Sequence, residues 1–252
     1  MHFLSQTTSD GVVERSFTVG GVPGVLWSPE AAADPAPLVL MGHPGGLHKK
    51  AAGLVARAAH LVTVYGFHAA AIDAPGHGDR ERSASDAAWV DEMQSARRAG
   101  EPLGPIVSAF NASIAERAVP EWRATLDALQ ALREIDADRP VGYSGMTLAT
   151  EIGFRLAAED PRIGAAGLGA AYASEALLDV ARDVRVPVQF LVPWDDPEID
   201  RESGFALYDA IGSAEKSLHA FPGPHQRVPA SEAEEAARFL ARHLLSQTRS
   251  GA

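Results

Sequence analysis

The chain has 252 residues, enough to bury one large core, and its 46% hydrophobic and 22% charged residues are typical of globular proteins. Its 33 acidic and 22 basic residues give a net charge of −11, which argues against a nucleic-acid partner or an anionic membrane surface. Because the chain contains no cysteine, disulfides, thiolate metal sites and a cysteine nucleophile are excluded.

The start of the sequence carries no targeting pattern that we recognise. Residues 1–8 lack the basic region and apolar run of a signal peptide. Along the whole chain, no apolar run approaches the ~20 residues that a membrane-spanning helix needs. We therefore expect a cytoplasmic protein without a membrane partner.

The first third of the chain predicts a hairpin followed by alternating strands and helices. Residues 16–19 and 24–27 are expected to pair antiparallel and to turn at Gly20-Gly21. After a loop at 30–37, the pattern predicts a strand at 38–41, a helix at 50–64 and a strand at 67–72.

The alternation is interrupted between residue 73 and the next strand, where one helix would suffice. A helix is predicted at 86–98 and a longer one at 106–134, interrupted at Pro120. Two interpretations fit this segment: a helical lid or cap over 80–120, and crossover helices of generous length.

The second half of the chain returns to regular alternation. It predicts strands at 141–143, 163–168, 186–192 and 217–221, and helices at 146–158, 174–183, 202–211 and 231–245, with Ser174 and Ser231 as N-caps. Buried strands separated by helices indicate one α/β domain over 1–252, with a doubly wound, mostly parallel sheet. Ligands of such sheets bind beyond the carboxyl ends of the strands, so the residues there are the candidates for function.

A serine follows the strand at 141–143. Ser144 lies between Gly142-Tyr143 and Gly145, at a predicted strand-to-helix corner that would expose its hydroxyl at a helix N-terminus. This position suits a nucleophile, and it equally suits a turn with a capping serine. Met146 stands where a small residue is usual.

A glycine-rich loop, 42–46, follows the strand at 38–41. Glycines there could direct N–H groups at an oxyanion, and Gly45 and Gly145 are the predicted donors. We expect His43 to be structural. After later strands come the acidic pair Asp195-Asp196, a candidate to orient an imidazole, and His225 in a Gly/Pro loop, a candidate base.

The order of these motifs resembles that of the α/β-hydrolase superfamily, and more narrowly its dienelactone-hydrolase-like and carboxylesterase-like members, over about 24–245. The segments that carry the resemblance are Gly42-His43-Pro44-Gly45-Gly46, Asp73-Ala74-Pro75-Gly76-His77-Gly78, Gly142-Tyr143-Ser144-Gly145, Pro193-Trp194-Asp195-Asp196 and Gly223-Pro224-His225. The register of the fourth segment selects Asp196 as the acid. Met146, Pro44 and Pro193 depart from the family pattern.

The resemblance implies a serine hydrolase that cleaves small-molecule carboxylic esters through Ser144, Asp196 and His225 and an acyl-enzyme, with no cofactor. No metal is expected, because the acidic residues at 195–200 lack histidine partners. The candidate substrate-binding residues are Tyr143, Trp194, Trp89 and His48. Two alternatives stay open: an amidase, thioesterase or carbon–carbon bond hydrolase on the same fold, and a non-catalytic binding protein.

Overall fold

The computed structural model describes residues 1–31 and 34–246. Its strands are β1 (His2–Ser9), β2 (Val12–Val19), β3 (Val22–Pro29), β4 (Leu38–Met41), β5 (His68–Ile72), β6 (Val141–Ser144), β7 (Ile163–Gly169), β8 (Val188–Pro193) and β9 (Lys216–Phe221). Its helices are α1 (Ala52–Tyr65), α2 (Ala84–Ala99), α3 (Gly104–Gln130), α4 (Leu148–Glu159), α5 (Glu175–Asp183), α6 (Arg201–Ala210) and α7 (Ala230–Leu245).

All the strands of the described residues form one sheet, in the order β1-β2-β3-β5-β4-β6-β7-β8-β9. The strands from β5 to β9 pair in parallel, and β1, β2 and β3 extend the sheet antiparallel. The central strands are buried along their whole length, as expected for a parallel sheet covered on both faces. The predicted fold class is confirmed.

The helices cover the two faces of the sheet and enclose two apolar cores. Helices α1 and α7 contact one face, while α3, α4, α5 and α6 form the layer on the other. Each core contains aliphatic side chains that alternate along the central strands, such as Leu38 and Leu40 on one side and Val39 and Met41 on the other.

Three details of the predicted elements are corrected. The exposed strand β1 was not predicted. The interruption at Pro120 is wrong, because α3 continues through this proline, which is exposed, as is Glu116, whose carbonyl loses its helical donor. Ser231 is not an N-cap, since α7 begins at Ala230, whereas Ser174 accepts the predicted capping bond from the Leu177 N–H. Among the described residues, no helix is both long and apolar enough to cross a bilayer.

Candidate active site

Loops from several parallel strands meet at the carboxyl edge of the sheet, where they surround a cavity of about 800 Å³. Loop residues 44–47 follow β4, residues 146–148 follow β6, and His225 and Gln226 follow β9. Helices α2 and α3 form the opposite wall, with Val90, Met93, Gln94, Arg97, Val107, Phe110 and Asn111. The volume suits a small organic ligand.

The structure brings Asp196 and His225 together at this cavity. His225 Nδ1 lies 2.7 Å from Asp196 Oδ2, and the backbone N–H of His225 donates to the same oxygen at 2.5 Å. The Asp196 side chain is fully buried, and that of His225 is 15% exposed. With Nδ1 facing the carboxylate, Nε2 is the nitrogen left to exchange protons with a ligand.

Asp196 is held in its ionised form. Burial alone would raise the pKa of this carboxyl, but N–H groups of Ile199, His225 and Glu198 donate to it and hold its pKa below the ordinary value. A charged acceptor beside His225 stabilises the imidazolium that forms when this histidine takes up a proton.

His43 is structural, as expected. Its Nδ1–H donates to the Pro44 carbonyl at 2.9 Å, and its Nε2 accepts the Ala74 N–H at 3.0 Å, so it links the loops after β4 and β5. Burial lowers the pKa of His43 to about 4, which keeps the ring neutral, as the bond accepted by its Nε2 requires.

A buried ion pair fixes the same two loops. Lys49 Nζ lies 2.6 Å from Asp73 Oδ2, and the Lys49 N–H donates to Asp73 Oδ1 at 2.8 Å. Although burial opposes ionisation, the N–H of Asp79 and the Lys49 ammonium hold the pKa of Asp73 below its usual value. The loop after β4 is therefore held against the strand edge.

The sharp strand-to-helix corner is not at Ser144, which corrects the sequence-based prediction. Ser144 is the last residue of β6 and is paired in regular parallel register with Met41. Helix α4 begins at Leu148 rather than Met146, and the residue with the unusual backbone is Thr147, at φ 57° and ψ −116°. The chain continues extended beyond Ser144 and turns at Thr147.

The Ser144 side chain lies outside the cavity of His225. Ser144 lines a separate pocket of about 330 Å³ with Met41, Leu61, Ala237 and Leu240, on the face covered by α1 and α7. Alternation along β6 agrees with this placement, since a Cβ at Gly142 would contact Leu240 and Leu244. No hydrogen bond joins Ser144 to His225 in the parts of the chain described.

Of the two predicted oxyanion donors, Gly45 and Gly145, the structure contradicts Gly145. The Gly145 N–H donates to the Gly167 carbonyl at 3.0 Å, so it is not available to a ligand. Within residues 1–31 and 34–246, the N–H groups of Gly45 and Leu148 make no hydrogen bond. The two residues are neighbours, since a Cβ at Gly45 would be 3.9 Å from Leu148 Cβ, and both line the cavity.

None of the four predicted substrate-binding residues lines the cavity. Tyr143 is fully buried, donates to the Ala149 carbonyl and packs edge-on against Trp122. Trp194, 41% exposed, packs against Phe205 and Arg201.

The other two are also absent from the lining. Trp89 packs behind the wall residue Phe110, with ring centroids 6.5 Å apart. His48 is exposed, and its Nδ1 accepts the Lys50 N–H.

Thr147 is the site residue that the sequence reasoning missed. A signal was present, because Gly145-Met146-Thr147-Leu148-Ala149 has small residues two positions before and after a hydroxyl residue. Two positions after Ser144, in contrast, stands the large residue Met146, where the family pattern has a small one. The spacing of small residues that a nucleophile elbow needs is therefore satisfied around Thr147 and not around Ser144.

Comparison with solved structures places this architecture among esterases. A cold-adapted esterase from an Arctic intertidal metagenomic library is 32% identical with a TM-score of 0.76, over 97% of this chain and 100% of that one. Acetyl xylan esterase 1 from Thermoanaerobacterium sp. JW/SL YS485 is 13% identical with a TM-score of 0.71, over 96% and 87% of the two chains. Est1E from Butyrivibrio proteoclasticus, in a structure with ferulic acid bound, is 13% identical with a TM-score of 0.67, over 92% and 99%. No protein-family model and no curated protein sequence matches the chain.

Proposed function

The chain belongs to the carboxylesterase-like α/β-hydrolases, and we propose that it hydrolyses carboxylic esters of small molecules through a covalent acyl-enzyme. The observation that carries this proposal is the pair formed by His225 and the buried Asp196 on the wall of a ligand-sized cavity. The 32% identity to a cold-adapted esterase over almost the whole chain supports the reaction class.

His225 acts first as base and then as acid. Its Nε2 takes the proton of a protein hydroxyl as that hydroxyl attacks the ester carbonyl, and it later gives the proton to the leaving alcohol. Asp196 keeps the proton on Nδ1 and balances the positive charge of the imidazolium. Water then releases the acyl group by the same sequence of proton transfers.

The N–H groups of Gly45 and Leu148 supply the oxyanion site. Both line the cavity, and neither is hydrogen-bonded within the described residues. Leu148 is also the first residue of α4, so its N–H lies at the positive end of the helix. Each such donor typically lowers the barrier by about 3 kcal/mol.

The test is hydrolysis of p-nitrophenyl esters of increasing acyl length by the purified protein and its His225→Ala variant. We expect turnover by the wild type and a loss of about 10⁴-fold or more in kcat for His225→Ala, because the variant has no base. His219→Ala is the matched control, since its imidazole contacts Glu232 away from the cavity.

The outcomes separate the proposal from its alternatives. Absence of turnover by the wild type on every ester would contradict the esterase function, and full activity of His225→Ala would contradict the role of this histidine. Matched p-nitroanilides, assayed in parallel, should be cleaved far more slowly than the esters. A preference for the anilides would indicate an amidase instead.

A further inference from the structure

We propose that Thr147 supplies the attacking hydroxyl, so that this enzyme uses a threonine nucleophile where the sequence first suggested Ser144. The inference rests on the proposed esterase function and assigns the residue that performs its first step. Four features support it: the backbone of the corner, the residues on either side, the surroundings of the hydroxyl and the N–H group that follows.

The backbone of Thr147 is strained in a way that a β-branched residue rarely tolerates. Its φ of 57° and ψ of −116° lie outside the regions that such residues normally occupy. Outliers of this kind persist only where the surrounding structure enforces them, and they cluster at active sites. On a strand-to-helix corner this conformation directs the side chain above the carboxyl edge of the sheet, as a nucleophile requires.

Small residues on either side of Thr147 allow the tight corner. A Cβ at Gly145 would lie 2.4 Å from the Ala149 Cβ, so any larger residue would push the end of the strand away from α4. Thr150 ties the same helix to β7, because its Oγ1 donates to the Gly169 carbonyl at 2.6 Å and accepts the Gly169 N–H at 3.0 Å. The corner is thus built around residue 147.

The Thr147 hydroxyl is buried and makes no hydrogen bond among residues 1–31 and 34–246. The neighbouring Thr150 hydroxyl, in contrast, is fully bonded within the fold. An unpaired buried hydroxyl is costly unless a ligand or a catalytic partner uses it. Thr147 lines the cavity together with His225, and catalytic hydrogen bonds of this kind often form only when substrate binds.

The N–H that follows Thr147 completes the assignment. Leu148 comes directly after the proposed nucleophile, its N–H makes no hydrogen bond within the described residues, and Gly45 is its neighbour across the cavity wall. In nucleophile elbows the residue after the nucleophile donates one of the two oxyanion bonds. With Ser144 as nucleophile this donor would be Gly145, whose N–H is already bonded to Gly167.

The reaction balances without any group beyond ester and water. Thr147 Oγ1 forms a bond to the carbonyl carbon while His225 Nε2 takes its proton, and the carbonyl electron pair moves to the oxyanion. Collapse breaks the bond to the leaving alkoxide, which takes the proton from His225. Water then attacks the threonyl ester, its proton passes to His225, and collapse releases the acid and returns that proton to Oγ1.

Three variants test the assignment in the p-nitrophenyl ester assay. Thr147→Val keeps the β-branched shape but lacks the hydroxyl, and should lower kcat by at least about 10³-fold. Ser144→Ala is the matched control and should leave kcat/KM within about threefold, since Ser144 touches no reacting atom in this scheme. Thr147→Ser should raise kcat, because the attacking oxygen loses a neighbouring methyl group and the backbone loses its β-branched strain.

A fluorophosphonate probe locates the nucleophile independently of turnover. The activated oxygen forms a bond to phosphorus and fluoride leaves, so the adduct marks the residue that attacked. Fragmentation of the labelled peptide separates the two candidates, because Gly145 and Met146 lie between them. We expect the adduct on Thr147 and none on a Thr147→Val protein whose melting temperature is unchanged.

The results distinguish failure of the inference from failure of the function. Wild-type turnover that persists in Thr147→Val, or an adduct on Ser144, would overturn the assignment and leave the esterase function standing. A wild type that hydrolyses no ester would overturn both, even if Thr147→Ser were active. Loss of ester turnover in Thr147→Val, together with wild-type turnover in Ser144→Ala, supports the assignment.

Discussion

At the scale of single residues, Asp196 uses one carboxylate to bind two parts of the site. Its Oδ1 accepts the N–H groups of Glu198 and Ile199 at 2.9 and 2.8 Å, which shapes the loop after β8. Its Oδ2 accepts the N–H and the Nδ1–H of His225. All four partners are donors, so the position requires an acceptor on both oxygens.

This requirement predicts the effect of Asp196→Asn. The carboxamide must turn its NH₂ group toward either the Glu198–Ile199 loop or His225, and one set of donors then faces a donor. We expect a fall in kcat of about 10⁴-fold, through the wrong histidine tautomer, together with a lower melting temperature.

The neighbouring carboxylate provides the control for this variant. Asp195 is exposed, so Asp195→Asn should change neither kcat nor the melting temperature appreciably. Equal losses in the two variants, measured on the same p-nitrophenyl ester and by thermal unfolding, would contradict the division of roles between the two aspartates. The comparison also tests the choice of Asp196, which sequence spacing alone had left open.

At the scale of elements, the predictions succeeded where the hydrophobic pattern determines the position of a strand or helix. They failed where the backbone geometry determines the position of a turn. The strands from β4 to β8 are largely apolar and buried, which requires two covering layers, so the doubly wound sheet and the edge bearing Asp196 and His225 followed from the sequence. The position of the corner did not, because the chain stays extended past Ser144 before it turns. Strand β1 was missed because all of its residues are exposed.

The prediction of the residues that line the cavity failed for a related reason. Aromatic residues near a predicted strand end were assigned to the cavity, but the alternation of side chains along a strand decides which face each one occupies. Tyr143 therefore points into the core between β6 and α4, while aliphatic and polar residues of α2 and α3 line the cavity. The residues of this wall are therefore identified only once the packing of α2 and α3 is known.

Helix α2 places Met93 on the cavity wall and the adjacent Glu92 toward solvent. We propose that the segment 80–120 covers the acyl site as a cap, and Met93→Trp tests this by filling part of the cavity. The variant should lower kcat/KM for a long-chain p-nitrophenyl ester at least about tenfold more than for the acetate, because the longer chain loses its space.

A tryptophan on the solvent side of the same helix is the control. Glu92→Trp should leave the chain-length profile unchanged, since the new side chain lies outside the cavity. If Met93→Trp shifted both esters equally, the change would reflect a general disturbance of α2. The cap interpretation of this wall would then be wrong.

At the scale of the whole molecule, the fold buries several neutral histidines next to its sheet. His43, His68 and His77 are at most 6% exposed, and burial lowers the pKa of each of them. For His43 the folded-state pKa is about 4, against 6.5 in an unfolded chain. The folded protein therefore resists protonation that the unfolded chain accepts readily.

This difference predicts a loss of stability in mild acid. Between pH 6.5 and about 4 the unfolded chain binds protons that the folded chain does not, so the free energy of unfolding falls as the pH falls through this window. His43 alone contributes about 3 kcal/mol to the decrease, and His68 and His77 act in the same direction. Urea unfolding at constant ionic strength between pH 7 and pH 4.5 measures it.

The variant His43→Asn separates this effect from the general titration of carboxylates. Asparagine does not titrate, so the decrease in unfolding free energy between pH 7 and pH 4.5 should be smaller than in the wild type, even though the variant is less stable at pH 7. The exposed His2 provides the control, and His2→Asn should reproduce the wild-type pH dependence. An unchanged pH dependence in His43→Asn would mean that the folded protein protonates His43 as readily as the unfolded chain does, contrary to its two hydrogen bonds, one of which requires an unprotonated Nε2.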